Sequence, residues 1–182
     1  MKKRLFCILL ALSLTAALAA CGQKSENPGG QNTGGPDASG QGGAGGQTSA
    51  DGYAFVVSKA DNYIVAIDDN MADVLAALGE PLSYFEAASC AFEGLDKTYT
   101  YSGFVITTRP DGDQDYVNSI LLTDDSVVTP EGIYIGCSAD EVTAAYGEGS
   151  RMENVISYTK GNSAMNFILE DDKVISIEYL PA

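Results

Sequence analysis

The side chains that could carry chemistry in this 182-residue chain are carboxylates and thiols, because it contains no histidine. That removes Ser-His-Asp and Cys-His catalysis and imidazole-ligated zinc or copper, which need a base or ligand titrating near neutrality. Paired Asp or Glu could still run a glycosidase. None stands on a recognisable motif, so no catalytic residue, no cofactor and no enzymatic activity are expected. Asp111, Asp113 and Asp115 alternate as at the start of a calcium loop. The full loop needs glycine sixth and glutamate twelfth, where this chain has Tyr116 and Leu122. The stretch therefore reads as an acidic hairpin turn, and the three aspartates are weak calcium candidates with no metal expected.

Of the four cysteines, the first two belong to export. Met1-Lys2-Lys3-Arg4 precedes an uncharged apolar run, Leu5 to Ala20, a basic n-region and an apolar h-region shorter than the ~20 residues that span a bilayer. It ends Leu18-Ala19-Ala20-Cys21-Gly22, which resembles the lipobox of bacterial lipoproteins. The resemblance implies a signal peptide at 1–20, cleavage before Cys21, lipid on its sulfur, and a chain held at the cell membrane facing the extracytoplasmic side. Residues 22–50 contain ten glycines and few bulky apolar side chains. Such a segment buries too little to offset its ordering and reads as a coil spanning about 30 Å. Residues 21–52 are thus the lipidated cysteine and a flexible linker.

Cys90 and Cys137 remain, in an exported domain where thiols tend to be oxidised. A bridge would close a 47-residue loop and stabilise by about 4 kcal/mol on the chain-entropy model. Two separate buried thiols, or a reactive Cys137 beside a helix N-terminus, are the alternatives.

Charge narrows the partners. Losing Lys2, Lys3 and Arg4 from 10 basic residues leaves 7 against 25 acidic ones, a mature charge of −18. A chain this acidic repels nucleic acid and anionic headgroups and favours basic partners.

Residues 53–182 must position whatever the domain does. Ile67 to Pro81 aligns without a gap on Ile135 to Gly149, sharing Val-x-Ala-Ala, then Leu or Tyr, then Gly-Glu. Each copy predicts a short helix with both ends specified. Ser138 with Glu141 is a capping box, Asn70 with Asp73 its counterpart, and Gly79 and Gly147 supply the termination. Val74, Leu75 and Leu78, and Val142 and Tyr146, form a core-facing stripe. Three strand-like runs follow each helix: 98–101, 104–108 and 116–123, then 155–159, 164–169 and 174–180. Met165, Phe167 and Leu169, like Ile175, Ile177 and Tyr179, alternate toward the helix, and Tyr158 is core-facing too. Short strands are also expected before the helices, at 64–67 and 133–135. The expected fold is α+β: two tandem strand, helix and three-stranded-meander repeats, about 53–125 and 130–182, forming an antiparallel sheet with helices on one face.

The tandem unit looks like the fold shared by the secreted β-lactamase inhibitor protein and the small lipoproteins of outer-membrane assembly. Ser89 to Tyr101 and Thr129-Pro130-Glu131-Gly132-Ile133 resemble uncharacterised anchored lipoproteins of Gram-positive, clostridia-like bacteria, over most of residues 53–180. The resemblance implies fold and export and is weak for activity.

The function expected is a membrane-anchored, non-catalytic protein-binding or inhibitor-like module with an unknown protein partner. A structural envelope lipoprotein and a small carboxylate-dependent hydrolase are its rivals. Matching 117–122 to 174–179 sets Ile120 and Leu122 over the helix. It leaves Val117, Ser119 and Leu121 on the other face with Thr98, Thr100, Val105 and Thr107. On that small, hydroxyl-rich face Thr100, Thr107, Ser119 and Leu121 are the candidate binding residues, better suited to a shallow protein contact than to a small-molecule pocket.

Overall fold

The computed structural model describes residues 51–182. The expected signal at 1–20, Cys21 and the expected linker to residue 50 lie outside the described residues. Strands β1 (Ala54–Val57) and β2 (Tyr63–Ala66) form an antiparallel hairpin of their own, and α1 (Met71–Leu78) follows. Next come β3 (Ser83–Ala88), β4 (Leu95–Tyr101), β5 (Phe104–Asp111) and β6 (Gln114–Leu122). Then α2 (Ala139–Tyr146) leads to β7 (Ser150–Met152), β8 (Val155–Lys160), β9 (Ser163–Glu170) and β10 (Lys173–Pro181). The last eight strands make one antiparallel sheet in the order β3-β4-β5-β6-β10-β9-β8-β7, so the fold is α+β.

The helices are where the cap residues put them. Asn70 accepts from the Ala72 N–H at 2.9 Å. Ser138 and Glu141 complete a reciprocal box, Ser138 N–H donating to the Glu141 carboxylate at 2.7 Å and the Glu141 N–H to Ser138 Oγ at 3.3 Å. Asp73 completes no box at α1, its side chain being one methylene shorter than glutamate. Gly79 (φ 75°) and Gly147 (φ 81°) end the helices in a backbone region that glycine enters freely. Their N–H groups donate to Leu75 and Thr143 carbonyls at 2.9 and 2.8 Å.

One apolar cluster holds the domain together. Val74 and Val142 from the helices and Phe55 and Val65 from the β1–β2 hairpin meet Ile106, Ile120, Phe167, Ile177 and Tyr179 of the sheet. Phe55 lies 5.0 Å from Phe104, ring to ring, so hairpin and helices share one face of the sheet. Leu75, Leu78 and Tyr146 are half-buried against the same cluster, as the stripe required, and Tyr158 and Tyr179 are core side chains.

The sequence expectation needs three corrections. Each helix is followed by four strands, not three. β3 and β7, the two sheet edges, were missed because Ser-Tyr-Phe-Glu-Ala-Ala has no period-two pattern and Ser-Arg-Met is too short to show one. Residues 133–135 form no strand despite two isoleucines, because the Thr129–Ile133 turn, with Thr129 N–H to Ile133 O at 2.8 Å, holds the chain curled. Finally, both long returning strands carry a bulge. In β6 the pairs Thr107–Ser119 and Thr108–Val117 skip Asn118, and in β10 Val174 and Ser176 flank a skipped Ile175. A bulge reverses the side-chain alternation beyond it. Val117 is therefore fully buried rather than on the outer face, and Ile175 is 46% exposed rather than over the helix.

Candidate binding surface

Among the described residues all covering elements pack on one face, and they put no layer over the other face of the eight-stranded sheet. Its surface can be read across the strands from their registers. One row runs Thr100, Val105, Leu121, Glu178, Asn166, Ser157. The next includes Phe85, Thr98, Thr107 and Ser119. The four candidate residues thus occupy neighbouring rows of one face. Thr107 Oγ1 and Ser119 Oγ are 2.8 Å apart and satisfy each other. Ser119 is only 7% exposed, shielded by its sheet neighbours, while Thr100, Thr107 and Leu121 are half-buried. The face thus carries small hydroxyls, two of them paired with each other, flanked by Val105 and Leu121.

Glu178 is the residue sequence reasoning passed over. It pairs directly with Leu121 at the junction of the two halves of the sheet, and with Asn166 on its other side. No lysine or arginine forms an ion pair with it among the described residues. Partial removal from water raises its carboxyl pKa above the usual glutamate value. The signal was present in the alternation of Val-Ile-Ser-Ile-Glu-Tyr, which sets Glu178 opposite the core-facing Ile177 and Tyr179.

The remaining candidates do not assemble a site. Asp115 is held by Lys97 at 2.6 Å and Asp111 lies 3.9 Å from Arg109, while Asp113 is in the two-residue turn between Asp111 and Gln114. Gly112 has φ 63° in that turn, the type II′ position glycine fills. No group of three or more His, Cys, Asp or Glu that could hold a metal ion occurs among the described residues.

The expected Cys90–Cys137 bridge is not formed. Cys90 is exposed in the loop after β3, and Cys137 is buried before α2, its backbone bonded to Val174 of β10 at 2.8 Å. In the sheet β4, β5 and β6 lie between β3 and β10, and a disulfide tolerates only ~7 Å between Cα atoms.

The described residues include no helix long and apolar enough to cross a membrane. Comparison of the chain with family models, with curated proteins and with solved structures finds no match.

Proposed function

We propose that this chain is a non-catalytic protein-binding module, tethered through lipid on Cys21 and displayed at the extracytoplasmic side of the cell membrane. The observation that carries the reading is the uncovered sheet face, on which Thr100, Thr107, Ser119 and Leu121 gather beside the carboxylate of Glu178. A half-buried charge without a partner costs free energy in the isolated domain, and a docking cation would offset that cost. A sheet face of this kind suits a shallow protein contact better than the concave site a small molecule needs.

We infer further that the domain is two copies of one unit, a helix followed by a four-stranded meander. Supporting this, the backbone bonds Asp68 N–H to Val117 O and Val117 N–H to Asp69 O recur as Gly136 to Val174 and Val174 to Cys137. Tyr101 and Tyr158 each donate their hydroxyl to the glycine carbonyl ending a helix, Gly79 at 3.2 Å and Gly147 at 2.8 Å. The two bulges also match. In that register Leu121 and Glu178 are equivalent positions and pair with each other, so they mark a pseudo-two-fold axis through the centre of the proposed contact.

The test uses a photo-cross-linking residue at Leu121 or Thr100 of the lipoprotein in intact cells, with Ile175 as a control in β10. One discrete protein adduct from the face positions, lost in Glu178→Lys, is expected. Adducts of equal yield from Ile175, or none from either face position, would place the contact elsewhere.

A further inference from the structure

The two edges of the sheet are unlike. β7 spans three residues, whereas β3 spans six, Ser83 to Ala88, every one of them exposed. β3 pairs with β4 alone, so every second residue turns unpaired backbone N–H and C=O groups outward. Natural edges are usually blunted by lysine, proline or a bulge. β3 contains none of these; its register with β4 runs unbroken. Around it stand Leu82 (75% exposed), Phe85 (66%), Tyr84, Phe92 and Leu95, more than half of the large exposed apolar side chains of the described domain.

Charge says what could cover this edge. Residues 80–96 carry Glu80, Glu86, Glu93 and Asp96 and no lysine or arginine. None of the four is in an ion pair among the described residues. Lys97, the nearest cation in sequence, is engaged by Asp115. A second copy of the chain would bring the same four negative charges against these four, so self-pairing is opposed. A cationic side chain meets both a carboxylate and an aromatic ring here. The domain's own Arg109 already lies 6.0 Å from one of these rings, that of Phe92.

We propose that β3 is a strand-addition site for an extended, lysine- or arginine-bearing segment of a partner protein. The segment pairs its backbone with the free edge, seats apolar side chains beside Phe85 on one face and sets its cations beside Glu86 on the other. The inference rests on the protein-binding reading above and adds the partner's conformation and charge.

The probe is a fluorescent peptide of alternating lysine and valine, titrated onto the mature chain in detergent and followed by anisotropy. Binding is expected that weakens with salt and falls about tenfold or more when alternate peptide amides on the pairing edge are N-methylated. It should be lost when the lysines are replaced by glutamate. Hydrogen exchange should slow at 83–88. Ala87→Pro and Ala88→Pro address adjacent positions, one facing β4 and one facing out. The outward one should abolish binding with the melting temperature unchanged. Leu121→Arg with Glu178→Lys, which challenges the sheet face away from β3, should leave the peptide affinity within about twofold, so the two readings fail separately. Equal binding of the N-methylated peptide, protection outside β3, no loss in either proline variant, or a β3-mediated dimer of the free chain would each overturn the proposal.

Discussion

The half of the sheet built by β3 to β6 and the half built by β7 to β10 agree in their interiors and part company at their rims. Ile120 and Ile177 are both fully buried, and Val74 and Val142 are equally enclosed. Both helices end on a positive-φ glycine, and both returning strands carry a bulge. The first half, however, has a six-residue exposed edge where the second has three residues. Its helix has a single-acceptor cap where the second has a box. What is alike is what closing a core over a sheet demands. What differs is free of that demand, and the differences gather on the first half's edge.

The comparison can be broken most directly from inside. Ile120→Ala and Ile177→Ala should each cost about 2–5 kcal/mol, the usual range for emptying a buried aliphatic site, and the two values should lie close together. Denaturant unfolding read by tyrosine fluorescence and far-UV circular dichroism checks this. A large inequality, or separate transitions by the two probes, would mean that the halves are not one cooperative unit.

Smaller effects sharpen the contrast. Ser138→Ala removes the α2 box and should cost about 1 kcal/mol, with Asn70→Ala costing less. The Glu141 carboxyl is held below its usual pKa by the Ser138 N–H and hydroxyl. A depressed acid contributes stability above its unfolded pKa, about 4.3, and loses it as pH falls through the lower folded value. The gap between wild type and Ser138→Ala should therefore narrow below pH 4 in thermal melts, and a pH-independent gap would remove the carboxylate from the account.

The turns offer a gain instead of a loss. The β9–β10 hairpin turns through Asp171 and Asp172, both at positive φ, 48° and 62°, where the β5–β6 hairpin has a glycine. Asp172→Gly should stabilise by about 0.5–1 kcal/mol. Chemical denaturation decides it, and an unchanged or lower midpoint would show that the Asp172 side chain matters more than its backbone.

The smallest effect is expected at the seam. The Glu178 carboxyl has a raised pKa from loss of water, so its ionised form opposes folding. Relative stability is full below the unfolded pKa and declines as pH rises through the folded one. Glu178→Gln should raise the melting temperature slightly at pH 7 and leave it unchanged near pH 3. A lower melting temperature at pH 7 would reveal a compensating cation.

Much of this was legible because local rules and tertiary packing agree. The capping residues, the helix stripes and six of the eight sheet strands follow from periods of 3.6 and 2 in the sequence. Two kinds of feature were not. A bulge is one skipped residue, and nothing in Val-Asn-Ser or Val-Ile-Ser marks it, yet it moved Val117 inward and Ile175 outward. Strand order is set by long-range pairing. The distance that separates Cys90 from Cys137 arises because β3 lies at the far edge while the segment before α2 lies against β10. For the candidate surface, alternation placed Thr100, Thr107, Ser119 and Leu121 on one face, but the mutual hydrogen bond that makes Ser119 and Thr107 self-sufficient needed three dimensions.

The two ends of the described domain meet at one corner. The Tyr53 N–H donates to Ser163 Oγ at 2.6 Å and the Ala182 N–H to the Asn162 carbonyl at 3.0 Å. Gly52 is packed so closely on Ser163 that a β-carbon there would approach its Oγ to 2.4 Å. Entry and exit are thus pinned to the same β8–β9 turn, so the order of the chain is separable from the shape it folds into. A short peptide joining Ala182 to Asp51, with new ends opened in the exposed 89–94 loop, should give a circular permutant of the same architecture. In that permutant the chain would begin at the opposite margin of the sheet, beside β3 instead of β8.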